Sequence, residues 1–246
     1  MSEERKAQLA QAVQRVEARV QAACDAAGRA REEVRLLAVT KTFPAGDAAL
    51  LTDLGLTDLA ENRDQEASVK VAEVARFRPD ATVRWHMVGR LQRNKARSVV
   101  RWADEVQSVD SIRLAGALDK AVLAEGRPVL DVLVQASIDG DPARGGCPLP
   151  ELEELAAYIA RAGGLRLRGV MAVAPLGGDP DRAFARLAEA AERLRKDHPG
   201  ATEVSAGMSS DLEQAIGHGS TCVRVGTALL GGRGLASLES GSPGSA

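Results

Sequence analysis

Short apolar runs alternate with amphipathic stretches along most of this chain. Runs rich in Leu, Val and Ala fall at 36–40, 57–60, 83–88, 105–109, 129–138, 165–173, 202–207 and 222–226, and each reads as a strand. Helical spacing occupies the intervals, at roughly 47–55, 64–77, 91–102, 111–124, 150–162, 180–197 and 210–217. Ahead of the first strand, Leu9, Val13, Val16, Val20 and Ala23 recur at helical spacing over 3–27, and Gly28 stops that helix. Strict alternation of strand and helix implies parallel strands, and eight units imply closure. The expected fold is therefore α/β: a single (β/α)8 TIM barrel over residues 1–235 with an extra N-terminal helix. An open doubly wound sheet is the alternative, but no GxGxxG follows the first strand. The segment 236–246, rich in Ser and Gly with one Pro, reads as a disordered tail.

Composition narrows the choice of partners. A length of 246 residues suits one large barrel. A net charge of −2 supplies no attraction for nucleic acid or an anionic membrane surface, and 2% aromatics leave no platform for stacking bases. The core must therefore be built from Ala, Val and Leu. Cys24, Cys147 and Cys222 are odd in number and form no CxxC pair, which argues against a disulfide framework or a zinc site and for a reducing cytoplasm. The charged start, Met1-Ser2-Glu3-Glu4-Arg5-Lys6, is not a signal peptide, and no apolar run reaches membrane-spanning length.

In a parallel barrel the C-terminal ends of the strands share one face, and function gathers there. Those ends carry Lys41, Glu61-Asn62-Arg63, His86 with Gly89, Ser108 to Asp110, Ser137 to Asp139, Met171-Ala172, Ser209-Ser210, and Arg224 with Gly226-Thr227. Lys41 follows four apolar residues and Thr40, so its stem is expected to start inside the mouth, partly desolvated. The stretch Gly207 to Glu213 reads as a loop entering a helix. Ser210 and Glu213 fit a capping box, and the same helix start offers free N–H groups to a phosphate. Gly226-Thr227 adds a second set of donors. A lysine facing such a cradle is what pyridoxal 5′-phosphate (PLP) requires when it is held as a Schiff base. Arg224, in an apolar strand, needs an acceptor: either a core carboxylate such as Glu203, or a cofactor ring nitrogen or phosphate. Asn62 and His86 read as pocket wall or as strand-end packing. His198 reads as a surface loop residue and His218 as a turn residue, while 142–148 is an ordinary glycine-rich connection or a lid.

These segments also carry a resemblance. LLAVTK, ENRDQE, WHMVGRLQRNK, LRLRGVMAV, SAGMSSDLEQAI and VRVGTALLG stand in the order and spacing of the pyridoxal phosphate homeostasis proteins, over residues 5–234. The resemblance implies a fold-type III PLP barrel like the N-terminal domain of alanine racemase, without that enzyme's second domain. On its pattern Lys41 is the Schiff-base lysine, and Ser209, Gly226 and Thr227 are phosphate ligands. Arg224 faces the pyridine nitrogen, and Asn62, His86 and Met171 line the pocket. Ala60, Ala206, Arg144 and Leu230 depart from the pattern, and Arg144 stands where a lysine is usual. The function implied is intracellular homeostasis and carriage of PLP (vitamin B6) by a monomer that hands the cofactor to apo-enzymes and has no strong catalysis of its own. The alternative is an amino-acid racemase. That activity needs a second base on the opposite face of the ring, a tyrosine in alanine racemase. Tyr158 is the one tyrosine of this chain, and it is expected on the barrel exterior.

Overall fold

The structure, a computed structural model, describes residues 2–141, 145–175 and 177–232. The strands are β1 (Arg35–Val39), β2 (Asp58–Glu61), β3 (Arg84–Met87), β4 (Glu105–Val109), β5 (Leu130–Ser137), β6 (Cys147–Pro148), β7 (Leu165–Met171), β8 (Glu203–Ser205) and β9 (Cys222–Val225). They run in the order β4-β3-β2-β1-β9-β8-β7-β5, and β4 pairs with β5 to close a parallel barrel of eight; two-residue β6 adds to the other side of β5. The helices are α1 (Glu3–Ala26), α2 (Ala45–Asp53), α3 (Asp64–Phe77), α4 (Ala96–Val99), α5 (Ile112–Ala124), α6 (Leu152–Arg161), α7 (Pro180–Asp197), α8 (Leu212–Gly217) and α9 (Thr227–Leu230). The barrel therefore follows the apolar pattern closely. The helix expected over 91–102 is shorter: a 3-10 turn at Arg93–Lys95 leads into four-residue α4, with no side-chain cap at either start. The anticipated tail, the last residues of the 1–235 boundary and Arg144 lie outside the described residues.

Outward-facing strand residues and the inner faces of the helices form one apolar layer, which includes Leu51, Leu118, Ile159 and Leu187. Inside the barrel a small second cluster, Leu37, Val39, Ala60 and Cys222, occupies the middle. The N-terminal end of the interior is polar. There Arg35 pairs with Asp58, Glu105 and Glu203, and Arg84 pairs with Glu105 and Asp131. Backbones approach closely at Gly169, whose φ is +152; a Cβ there would lie 1.8 Å from the Glu203 carbonyl oxygen of the neighbouring strand. The extra helix α1 packs against α8 and α9. Arg5 reaches Asp47 of α2 at 2.6 Å and donates to the Leu230 carbonyl of α9 at 3.1 Å.

His86 belongs to this polar end of the barrel. It is fully buried, with Nδ1 3.0 Å from Glu105 Oε1 and Nε2 2.8 Å from Asp58 Oδ1. Both neighbours are carboxylates, so both ring nitrogens donate only when the ring is protonated. Burial disfavours the imidazolium, but the bonds to Asp58 and Glu105 outweigh it and raise the pKa above the ordinary 6.5. Burial likewise opposes the charge on Glu105, yet His86, Arg35 and Arg84 hold its pKa down at about 2, from an ordinary 4.5. The contribution of His86 to stability is thus complete below 6.5 and is lost as pH rises through the higher folded value. That of Glu105 is complete above 4.5 and is lost as pH falls towards about 2. The urea midpoint should therefore decline on both sides of this window, and His86→Gln should abolish the alkaline decline. A wild-type midpoint that stays flat above neutral pH would contradict this assignment.

Candidate functional site

Strands β2, β1, β9 and β8 are consecutive around the barrel, so their C-terminal ends adjoin. This brings together Asn62, Lys41, Gly226-Thr227 and the loop that carries Ser209. Lys41 follows β1 in a turn closed by the Phe43 N–H donating to the Thr40 carbonyl at 3.1 Å. Its side chain is exposed at the mouth rather than partly desolvated as expected. The amine is accessible.

The two loops expected to hold an anion are joined to each other. The Ala228 N–H at the start of α9 donates to Ser209 Oγ at 3.3 Å. Gly207 has a φ of +90, and a Cβ on it would come within 2.6 Å of Ala215 Cβ, so the loop can fold down onto α8 only with glycine there. A Cβ on Gly226 would lie 3.1 Å from the Val39 carbonyl oxygen, which presses the end of β9 against the end of β1. The capping box expected from Ser210 and Glu213 is absent. Asp211 occupies the cap position and accepts from the Met208 N–H at 2.6 Å, while Glu213 pairs with Arg19 of α1 at 2.8 Å. Arg19 also donates to the Ser209 carbonyl at 3.0 Å. Helix α1 therefore braces both loops, through Arg19 at Ser209 and through Arg5 at the end of α9. Local sequence pattern carries no signal for this, because these partners lie about two hundred residues apart in the chain.

Arg224 is buried and, among the described residues, bonds no carboxylate. Its Nη1 donates to the carbonyl and to Oγ of Ser205, each at 2.7 Å, and Nη2 donates to the Ala172 carbonyl at 2.7 Å. The carboxylate considered from sequence, Glu203, is engaged elsewhere, with Arg35 and Arg168. Burial pushes the Arg224 guanidinium below the ordinary arginine value. A hydrogen-bonded chain runs on from it: the Ser205 hydroxyl donates to Gln107 Oε1 at 2.7 Å, and Gln107 Nε2 donates to Glu105 Oε1 at 2.7 Å. Arg224 is thereby tethered through the barrel axis to the charged end.

Asn62 follows β2 and is half-buried, and its buried Oδ1 has no hydrogen-bond partner among the described residues. The Gly89 backbone packs so tightly on it that a Cβ would lie 2.2 Å from the Asn62 carbonyl oxygen. Met171, also buried, ends β7 in register with Gln135 and Ser205. His86, which reads from sequence as pocket wall or as strand-end packing, is fully buried within the barrel. Both of its ring nitrogens are consumed within the barrel, and neither is left for a ligand at the mouth. Of the connection at 142–148, residues 142–144 lie outside the described residues; Cys147–Pro148 forms β6. Among the described residues no group of His, Cys, Asp and Glu is arranged to hold a metal ion, and no helix is long and apolar enough to cross a membrane.

Barrel and strand ends together define a class, the alanine racemase N-terminal domain, whose family model matches residues 12–234. A pyridoxal phosphate homeostasis protein from Mycobacterium tuberculosis is 49% identical, over 95% of this chain and 96% of its own length. One from Escherichia coli K12 is 38% identical, over 92% and 97%. The chain belongs to the pyridoxal phosphate homeostasis protein family. PipY of Synechococcus elongatus, solved with PLP bound, matches at TM-score 0.79 and 31% identity, over 91% of this chain and 100% of that one. Alanine racemase from Corynebacterium glutamicum, at 16% identity and TM-score 0.68, shares the fold over 91% of this chain and 60% of its own.

Proposed function

We propose that this chain holds PLP as a Schiff base on Lys41 and serves in intracellular PLP homeostasis and carriage. The observation that carries the reading is the union, at one mouth, of an accessible lysine with two loops tied together at Ser209 and Ala228. The residues present fit the cofactor. Among the described residues Asn62 Oδ1 is buried without a partner and Arg224 is a buried cation with no carboxylate bonded to it, and the loop at Gly207 has no room for a Cβ. When bound, PLP supplies an aldehyde for amines and a ring that withdraws electrons. Ser209, Gly226 and Thr227 would hold its phosphate by charge-assisted hydrogen bonds from hydroxyl and backbone groups. Arg224 would face the ring nitrogen and, by staying cationic, keep that nitrogen unprotonated and weaken the ring as an electron sink. Asn62 and Met171 would line the pocket.

Several features favour a carrier over a racemase. Tyr158 lies on α6 against α5, its hydroxyl 2.8 Å from where a Cβ on Gly116 would stand, so it belongs to the outer helices and supplies no second base at the mouth. The relatives also bear a homeostasis name rather than an enzyme's. An open mouth suits exchange of the cofactor with apo-enzymes, and we take the working unit to be a cytoplasmic monomer.

Purified protein should be yellow, and borohydride reduction should leave the PLP adduct on the peptide that contains Lys41. An adduct confined to Lys95 or Lys120 would overturn the site. Each hydrogen bond to a charged group contributes about 1.5–3 kcal/mol, so Ser209→Ala combined with Thr227→Ala should weaken PLP retention at least ~tenfold. Retention at the wild-type level, read by dialysis and absorbance, would exclude these two side chains as phosphate ligands. The loaded protein should pass PLP to an apo-enzyme while turning over D- or L-alanine negligibly. Turnover near the common enzyme median of about 10 per second would reverse that assignment.

A further inference from the structure

The turn that carries Lys41 is strained, and a buried ion pair behind it holds it in place. Thr42, the residue after the lysine, has a φ of 68; among the described residues it is the one non-glycine with positive φ. A β-branched side chain is poorly tolerated in that left-handed region, so the conformation must be imposed by its surroundings. The imposing contacts converge on Thr40. Its N–H donates to the Ala60 carbonyl at 3.0 Å and its hydroxyl donates to Glu61 Oε1 at 2.6 Å. Its carbonyl accepts two bonds, from the Phe43 N–H that closes the turn and from Lys70 Nζ at 2.7 Å. Lys70, on α3, also pairs with Glu61 Oε1. Thr40, Glu61 and Lys70 are all buried, although lysine and glutamate are rarely so.

Bulk stability does not explain this arrangement. A buried ion pair recovers its desolvation only when all its polar atoms are satisfied, and Glu61 Oε2 is buried without a partner among the described residues. An apolar pair of the same volume would pack this layer equally well, but it could not grip the Thr40 carbonyl and hydroxyl. We propose that Lys70 and Glu61 are positioning residues for Lys41: through Thr40 they hold the strained turn that presents the amine to the mouth. The proposal rests on the reading that Lys41 is the Schiff-base lysine.

The experiment is Lys70→Met, alone and with Thr42→Gly, against wild type. In the ligand-free protein, hydrogen exchange at the Phe43 amide should speed up in Lys70→Met while the β1 amides stay protected. On titration with PLP, the Schiff-base absorbance per folded molecule should require at least ~tenfold more cofactor. Adding Thr42→Gly should restore much of that loss, because glycine adopts a positive φ without strain. Unchanged Phe43 exchange and unchanged PLP titration in Lys70→Met would overturn the proposal. So would a loss of binding that Thr42→Gly leaves untouched, since a merely structural lysine predicts that result. If Lys70→Met does not fold, Glu61→Gln keeps the shape: faster Phe43 exchange with weaker PLP titration supports the proposal, and no change in either overturns it. Failure of the underlying reading is separately visible: the borohydride adduct of wild type would then lie away from Lys41, whatever the variants do.

Discussion

The barrel closes where β4 meets β5, and in that seam Glu105 stands in register with Asp131. Two carboxylates side by side in a buried interior repel each other, so the last pairing of the sheet depends on cations placed between them. Arg84 supplies the bridge: Nη2 lies 2.8 Å from Glu105 and 2.6 Å from Asp131. Arg35 adds charge on the Glu105 side, where His86 also bonds the carboxylate, and Arg166 adds it on the Asp131 side. The shape of the mouth follows from that closure. Without it β7 would still pair with β8 and β5 with β7, but β4 and β5 would be the two free edges of an open sheet, and β2 and β3 would have no fixed distance from β5 and β7 across the mouth.

The same carboxylate connects the charged end of the barrel to its mouth. From Glu105 the bonds pass through Gln107 and Ser205 to Arg224, with every donor pointing toward Glu105. The Arg224 guanidinium is thereby oriented by neutral acceptors that are themselves polarised by a distant charge. This leaves the cation's field available at the mouth, which a direct carboxylate contact would have neutralised. The candidate site lies at one end of the barrel and is anchored at the other.

Most of the fold is legible in the order of the residues. Strand periodicity needs only near neighbours, and each predicted strand is matched within a few residues, as with 105–109 against Glu105–Val109. Elements of two and four residues, β6 and α9, are too short to show a period, and the 91–102 stretch has apolar positions without a cap to start a full helix. Lys41, Ser209, Gly226 and Thr227 can be picked out because they sit at strand ends, where topology alone assigns them to one face.

His86 shows where sequence reasoning stops. It stands close to a strand end, as the candidate site residues do, but an inward side chain can belong to either end of a barrel, and only the positions of Asp58 and Glu105 decide which. The pairing of Arg19 with Ser209, and of Lys70 with Thr40, likewise depends on contacts across the folded chain that no local pattern encodes. Residue order is enough to settle the alternation of elements, the parallel closure and which residues end the strands, because these follow from hydrophobic period and strand direction. Which polar groups stabilise the barrel and which remain for a ligand is settled only in three dimensions, because a buried hydrogen bond is defined by the partner that reaches it.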